Sequence, residues 1–308
     1  MVKKTLCFSN PAYLSLSNKQ LVIKLPEVEK SDLRHKDKYV QTRPIEDIGV
    51  VVLESRYITI TSAALEALLE NNCAIITCDA SMMPVGLMLP LAGHTIQSER
   101  FTSQIAASLP LKKQLWQQTI QAKIANQAAI LARYTSAETG CMNKWVTTVK
   151  SGDADNLEAR AAAYYWRNIF PSLPDFKRSR DGDQPNALLN YGYAILRALM
   201  ARALVSAGLL PTLGIHHHNR YNAYCLADDI MEPYRPYVDE TVIKILNDHG
   251  TNVTLDKDIK TRLLTIPMLD TTIQGVRSPL MVAAARTAGS LVKCYDGEAR
   301  KLVYPTIS

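Results

Sequence analysis

Over its first ninety or so residues the chain sets apolar residues at alternate positions in short runs, the spacing of half-buried β-strands. Leu14-Ser15-Leu16-Ser17 and Leu21-Val22-Ile23-Lys24-Leu25 flank the polar break Asn18-Lys19-Gln20, a pattern that predicts a hairpin. Ile48 to Leu53 and Tyr57 to Ile60 are further strand candidates, rich in β-branched residues. Thr61 then stands before Ser62-Ala63-Ala64-Leu65-Glu66 as a helix cap, and the helix is expected to run through Leu69. Cys73 to Cys78 reads as a buried strand, and Met88 closes the region.

From about Ser98 the apolar spacing becomes helical and stays so. Trp116, Ile120, Ile124, Ala128 and Leu131 fall on one stripe. Asn156 to Phe170 predicts a second helix, ended by Pro171-Ser172-Leu173-Pro174. Ala187 to Ala207 is apolar enough to be central in a bundle, with Gly208 as its stop and Pro211 beyond. Tyr221 to Met231 follows, ended or kinked around Pro233 and Pro236. Val238 to Asp248 and Pro279 to Val292 supply two more. The expected fold class is therefore α+β: a small β-rich, β-sandwich-like domain over residues 1–92, followed by a larger all-α domain over residues 98–308.

Composition adds limits more than direction. At 308 residues, 47% hydrophobic and 21% charged, the chain can bury a core without staples. A net charge of +6 favours a polyanionic partner only slightly. The six cysteines are scattered with no CxxC pair, which argues against a disulfide framework or a zinc ribbon and points to reduced thiols in the cytoplasm. No apolar stretch approaches the roughly 20 residues a bilayer span needs, so no membrane role is expected.

Candidate chemistry concentrates in the helical part. Glu158 stands early in its helix beside small alanines; a first-turn glutamate ordinarily serves the helix dipole, but this one has room to be buried. His216, His217 and His218 follow Gly214 closely, and Asp228, Asp229 and Glu232 come within the next helix. Asp229 or Asp228 shares a helix face with Glu232. Tyr224, Leu226, Ile230 and Met231 make that helix mostly apolar, so some of the acids point inward. Carboxylates held together repel unless protonated or bridged by a cation, and oxygen ligands with one histidine suit Mg²⁺ or Mn²⁺ better than zinc. Lys177, Arg178 and Arg180 cluster in a loop, and Lys112, Lys113 and Lys123 mark the helix of Trp116. The residues themselves thus indicate a divalent-metal site and name no reaction.

A resemblance does. Gly214-Ile215-His216-His217-His218-Asn219-Arg220-Tyr221-Asn222, continuing through Leu226-Ala227-Asp228-Asp229-Ile230-Met231-Glu232-Pro233-Tyr234-Arg235-Pro236, resembles the signature of CRISPR-associated protein one, the integrase subunit of the CRISPR adaptation complex. Asn186 to Ala194 resembles the family segment before that signature. Trp116, Lys123, Ile124, Asn126, Gln127, Arg100 and Gln104 are similar to its earlier helices. The match runs through essentially the whole chain, and the wording around His217 and Glu232 is closest to members of type II systems.

The resemblance implies a metal-dependent DNA endonuclease and integrase that inserts short DNA segments, or spacers, into a CRISPR array by attack of a 3′-hydroxyl on a phosphodiester. The family's catalytic metal ligands, a helix glutamate, a histidine and a later acid, fall on Glu158, His217 and Glu232, with Asp229 as a fourth ligand and Asp228 as its alternative. The implied cofactor is Mg²⁺ or Mn²⁺. Implied partners are double-stranded DNA (prespacer and repeat), a second copy in a homodimer, and a small ferredoxin-like adaptation subunit completing a heterohexamer. The effector nuclease and an accessory adaptation protein are further candidates. Lys177, Arg178, Arg180 and Arg235 are the candidate DNA contacts. The rival readings are a catalytically silent DNA-binding scaffold and a metal hydrolase acting on small phosphoesters.

Overall fold

The computed structural model describes residues 2–29, 40–179 and 184–307. The chain divides into two compact units, Met1–Gly93 and His94–Ser308.

The first unit is built from β1 (Lys4–Phe8), β2 (Ala12–Ser17), β3 (Gln20–Lys24), α1 (Pro26–Glu29), β4 (Gln41–Pro44), β5 (Ile48–Leu53), β6 (Ile58–Ile60), α2 (Ser62–Glu70), β7 (Ala74–Cys78) and β8 (Pro84–Met88). Two four-stranded sheets result, one in the order β1-β5-β7-β8 and the other β4-β3-β2-β6. The first is parallel except for its edge strand β8. The second is a β2-β3-β4 meander with β6 added in parallel. Asn18 and Lys19 both take positive φ, 48° and 59°, the conformation of a two-residue turn whose twist matches its strands. Leu14 and Leu21 of one sheet join Val51 and Ile75 of the other, with Ala64 and Leu68 of α2, in one core. The Thr61 hydroxyl caps α2 by accepting the Ala64 N–H at 3.3 Å.

The second unit contains α3 (Gln97–Ala106), α4 (Leu109–Tyr134), α5 (Gly140–Thr148), α6 (Leu157–Asn168), α7 (Asn186–Ser206), α8 (Cys225–Met231), α9 (Arg235–His249), α10 (Lys257–Leu263), β9 (Asp270–Ile273), β10 (Val276–Pro279) and α11 (Leu280–Tyr295). The β9-β10 hairpin corrects the all-α expectation. It turns on Gln274 and Gly275, at φ 52° and 74°, a dipeptide too short to register against the helical spacing on either side. The stripe Trp116, Ile120, Ile124 and Leu131 is buried along α4, and α7 is buried along most of its length.

The helix expected from Tyr221 begins only at Cys225. Asn219 and Asn222 intervene: their side-chain oxygens accept the N–H groups of Tyr221 and Tyr224, each at 2.9 Å. Short polar side chains that satisfy the backbone in this way compete with a helix. A 3₁₀ turn, Glu232–Tyr234, carries Pro233 and links α8 to α9. Pro236 lies in the first turn of α9, where a missing N–H costs nothing. Among the described residues, no helix is long and apolar enough to cross a membrane.

Candidate functional site

The site lies wholly in the second unit and is assembled from α4, the start of α6, the loop between α7 and α8, and the α8–α9 junction. Glu158 opens α6, yet it does not cap that helix. Asp153 does, its two carboxylate oxygens accepting the N–H groups of Leu157 and Glu158, each at 2.9 Å. With the helix end satisfied, the Glu158 carboxylate is free to turn toward α4. There its Oε1 accepts a hydrogen bond from Lys123 Nζ at 2.7 Å.

Glu232 arrives at the same ammonium from the other side. Its Oε2 lies 2.7 Å from Lys123 Nζ, and its Oε1 accepts from Arg235 Nε at 2.7 Å. The residue is buried. Burial alone raises a carboxyl pKa, but Arg235 and Lys123 outweigh it and hold Glu232 down at about 2. Lys123 titrates above its ordinary value for the mirror reason: burial works against its charge, and the charges of Glu232 and Glu158 more than compensate. Lys123 thus bridges the two glutamates, at 2.7 Å from an oxygen of each.

The loop after α7 closes around Asp229. This carboxylate is 0% exposed and accepts the N–H groups of Ile215 at 2.8 Å, His216 at 2.9 Å and His217 at 3.3 Å. It also meets His217 Nδ1 at 2.5 Å, and that hydrogen bond is the main cause of the raised His217 pKa. With Nδ1 engaged, Nε2 is the nitrogen left for a ligand. His216 lies flat on Trp116, ring centroids 4.2 Å apart, and His217 meets the same indole edge-on at 5.5 Å. The buried Trp116 is thus a floor for the histidine loop. Burial and the charge of His217 lower the His216 pKa.

Gly214 is required by this closure. A Cβ there would stand 2.3 Å from the His217 carbonyl oxygen and 2.8 Å from Asp229 Oδ2. Gly214→Ala is expected to push the loop off Asp229 and to cost about 1–3 kcal/mol of stability, read as a lower melting temperature of the full chain. An unchanged melting temperature would mean the loop does not need this closure.

The structure thus brings Glu158, Glu232 and Lys123 together, with His217 close enough to feel both glutamate charges. Asp229 departs from the expected fourth ligand: its oxygens are committed to loop amides and to His217. Asp228 is no substitute, being paired with Arg197 at 2.6 and 3.1 Å and with Asn222 at 2.7 Å. Arg235 departs from the expected DNA contact, because its guanidinium is tied to Glu232 and lies 4.7 Å from the centre of the Tyr193 ring. Arg178 covers the same ring at 5.3 Å and donates to Asn186 and Asn190 at 3.0 and 2.6 Å. Lys177 remains exposed, and Arg180 lies outside the described residues. Behind Arg235, Tyr193 and Tyr165 both donate to the buried Asp239, whose pKa burial pushes up to about 6.

Among the described residues, no three His, Cys, Asp or Glu side chains stand close enough to chelate one ion as they are. The chemistry of the donors nonetheless fits Mg²⁺ or Mn²⁺. Two carboxylates and one imidazole form a hard, mainly oxygen set, and the two carboxylates already share one cation, the Lys123 ammonium.

Sequence reasoning missed the Asp153 cap, the Trp116 floor and the Lys123 bridge. Lys123 falls two turns after Trp116, on an inward face that also carries Thr119, Asn126 and Gln127, so the apolar spacing does not set it apart.

Comparison with known proteins extends this picture. The family described as CRISPR associated protein Cas1 matches residues 6–266. A CRISPR-associated endonuclease Cas1 from Neisseria meningitidis serogroup C (strain 8013) is 35% identical over 314 residues, covering 100% of this chain and 97% of the relative. A casposase bound to integration product superposes with TM-score 0.76 at 21% identity, over 98% of this chain and 92% of the other. A chain of a Cas6-RT-Cas1–Cas2 complex gives TM-score 0.75 at 21% identity, over 99% of this chain and 36% of that longer one. The sequence matches cover both units as well as the histidine loop and the two glutamates, and the chain belongs to the Cas1 family.

Proposed function

We propose that the protein is a DNA endonuclease and integrase of CRISPR adaptation, joining short DNA segments to a CRISPR array at the Glu158–His217–Glu232 site. One observation carries this reading beyond family membership. Two glutamates 74 positions apart in sequence converge within 2.7 Å of one ammonium, so the fold gathers both carboxylates around a single positive charge.

The reaction conserves phosphodiesters. A DNA 3′-hydroxyl oxygen forms a bond to phosphorus at the edge of a repeat, the existing P–O3′ bond breaks, and the departing 3′-oxygen takes up a proton. Mg²⁺ or Mn²⁺ held by Glu158, His217 and Glu232 would supply Lewis-acid stabilisation of the charge developing on the phosphoryl and leaving oxygens. Asp229 acts as a positioning residue, fixing which His217 nitrogen faces the site. Trp116 supports the loop from below, and Arg235 orients Glu232. Holding two DNA ends in register removes the entropy of a bimolecular encounter, a task for the exposed basic surface and for assembly. A homodimer that clamps a small Cas2-type subunit, in a heterohexamer, suits that task; the similarity to a chain of a complex that contains Cas2 supports the Cas2-type partner.

The second reading, a silent DNA-binding scaffold, draws on one feature. Lys123 already neutralises the carboxylates, so the fold is satisfied without an ion. Strand transfer separates the two readings. A short duplex with free 3′-hydroxyls is offered to a supercoiled plasmid carrying the repeat, with the small partner subunit, in Mg²⁺ or Mn²⁺ and in EDTA. Joining that needs the ion supports the integrase; tight DNA binding without joining in either ion establishes the scaffold.

A further inference from the structure

Lys123 lies on the inward face of α4, and it is buried there. A buried ammonium is costly unless paired, and among the described residues its partners are Glu158 and Glu232. These two carboxylates also have Arg235 on the far oxygen of Glu232. Lys123 and Arg235 thus neutralise the two glutamates before any divalent ion arrives, and the remaining carboxylate, Asp229, is engaged by loop amides and His217.

Adding such an ion with both cations in place would set three positive centres around two carboxylates, beside the buried Glu232 and Lys123, where Coulomb repulsion is only partly screened. One cation must yield. Arg235 is the fixed one: its guanidinium is hydrogen-bonded to Glu232, lies over Tyr193, and Tyr193 is anchored to buried Asp239. Lys123 is the movable one, a point charge on a four-carbon stem. It also sits where an ion shared by the two acids would sit, 2.7 Å from an oxygen of each glutamate.

We infer that Lys123 is an internal competitor of the divalent metal: its ammonium holds Glu158 and Glu232 together until the ion displaces it from their oxygens. The residue therefore sets how much metal the protein demands. This rests on the proposed metal-ligand role of the two glutamates. It assigns Lys123 a specificity-setting function in addition to packing.

The test is a Mn²⁺ titration of the full chain, with free ion followed by electron paramagnetic resonance, on the parent, Lys123→Met, Lys123→Gln and Lys123→Arg. Thermal melts with and without Mn²⁺ run alongside. Loss of the ammonium is expected to tighten Mn²⁺ binding at least about tenfold. The same variants are expected to melt below the parent without metal and to recover when Mn²⁺ is added. Lys123→Arg, which keeps the charge, is expected to show no tightening. Should Lys123→Met not fold, Lys123→Gln, whose amide still donates to a carboxylate, carries the comparison. Folded Met or Gln variants that bind Mn²⁺ no more tightly than the parent would overturn the inference while leaving the metal site standing. Absence of Mn²⁺ binding by the parent and the charge-free variants alike would remove the metal reading, and the inference with it.

Discussion

Replacement of Asp229 by alanine is expected to remove about 3–5 kcal/mol of stability and to lower strand transfer at least about a hundredfold. The carboxylate is fully buried and collects three backbone N–H groups as well as His217 Nδ1. Its loss leaves those donors without an acceptor, each costing its desolvation energy. The loop from Gly214 then has nothing to close on, and His217 loses both its ring orientation and its preferred nitrogen. Asp229→Asn separates the two consequences. The amide keeps the volume and one acceptor but presents an NH₂ to groups that are themselves donors, so it should lose less stability and nearly as much activity. Denaturation curves and the strand-transfer assay read the two quantities. A direct ligand role for Asp229 would instead make Asn nearly as stable as the parent, with Mn²⁺ binding lost; parental stability and parental joining in Asp229→Ala would contradict both roles.

Much of this architecture is legible in the chain because it rests on local chemistry. The hairpin at Asn18-Lys19-Gln20, the Thr61 cap and the stripe of α4 are each decided by residues near one another in sequence, and each is realised, though Gln20 opens β3 and the turn itself is Asn18-Lys19. The elements that escape are those decided by side chains acting on backbone. Asn219 and Asn222 delay α8 by four residues through side-chain acceptors, whereas the apolar pattern through Tyr221 suggests continuous helix. The β9-β10 hairpin is four residues a side, below the length at which alternation stands out from a helical background.

The candidate site divides along the same line. Which residue types gather is visible, because acids and histidines on mostly apolar segments must face inward and find partners. What each one does is not, because the partners come from afar. Asp229 reads as a ligand until the loop amides are seen around it. Arg235 reads as a DNA contact until Glu232, three residues earlier, is seen to hold it. Lys123 reads as surface charge until two glutamates from other segments meet it. Each revision moves a charge from the solvent or the ion to the interior. The interior thus carries counter-charges that hold the acids in place before any ion or DNA arrives.

That arrangement fixes the pH at which the acids contribute. Glu232 is held at about 2, below its ordinary 4.5, so the native state binds fewer protons there than the unfolded chain. Its contribution is fully present above pH 4.5, declines as pH falls through that value, and is gone near 2. A shift of that size corresponds to about 3 kcal/mol. Glu232→Gln, which keeps the shape without the charge, is therefore expected to be about 3 kcal/mol less stable than the parent between pH 5 and 8. The gap should close as pH falls toward 2, where the parent's own carboxyl becomes neutral. Carboxylates remote from the site titrate in both chains and cancel in the difference, whereas Glu158 shares Lys123 with Glu232, so paired urea denaturation series across pH are run in the parent and in a Glu158→Gln background to isolate this one group. The same variant is expected to lose strand transfer at every pH, because a neutral amide donates weakly to a divalent ion and leaves Lys123 and Arg235 with an excess of positive charge between them. A pH-independent gap would assign the loss to packing and not to the ion pairs. No gap at all would mean that Lys123 and Arg235 need no counter-charge from Glu232, and the electrostatic account of the site would fail with it.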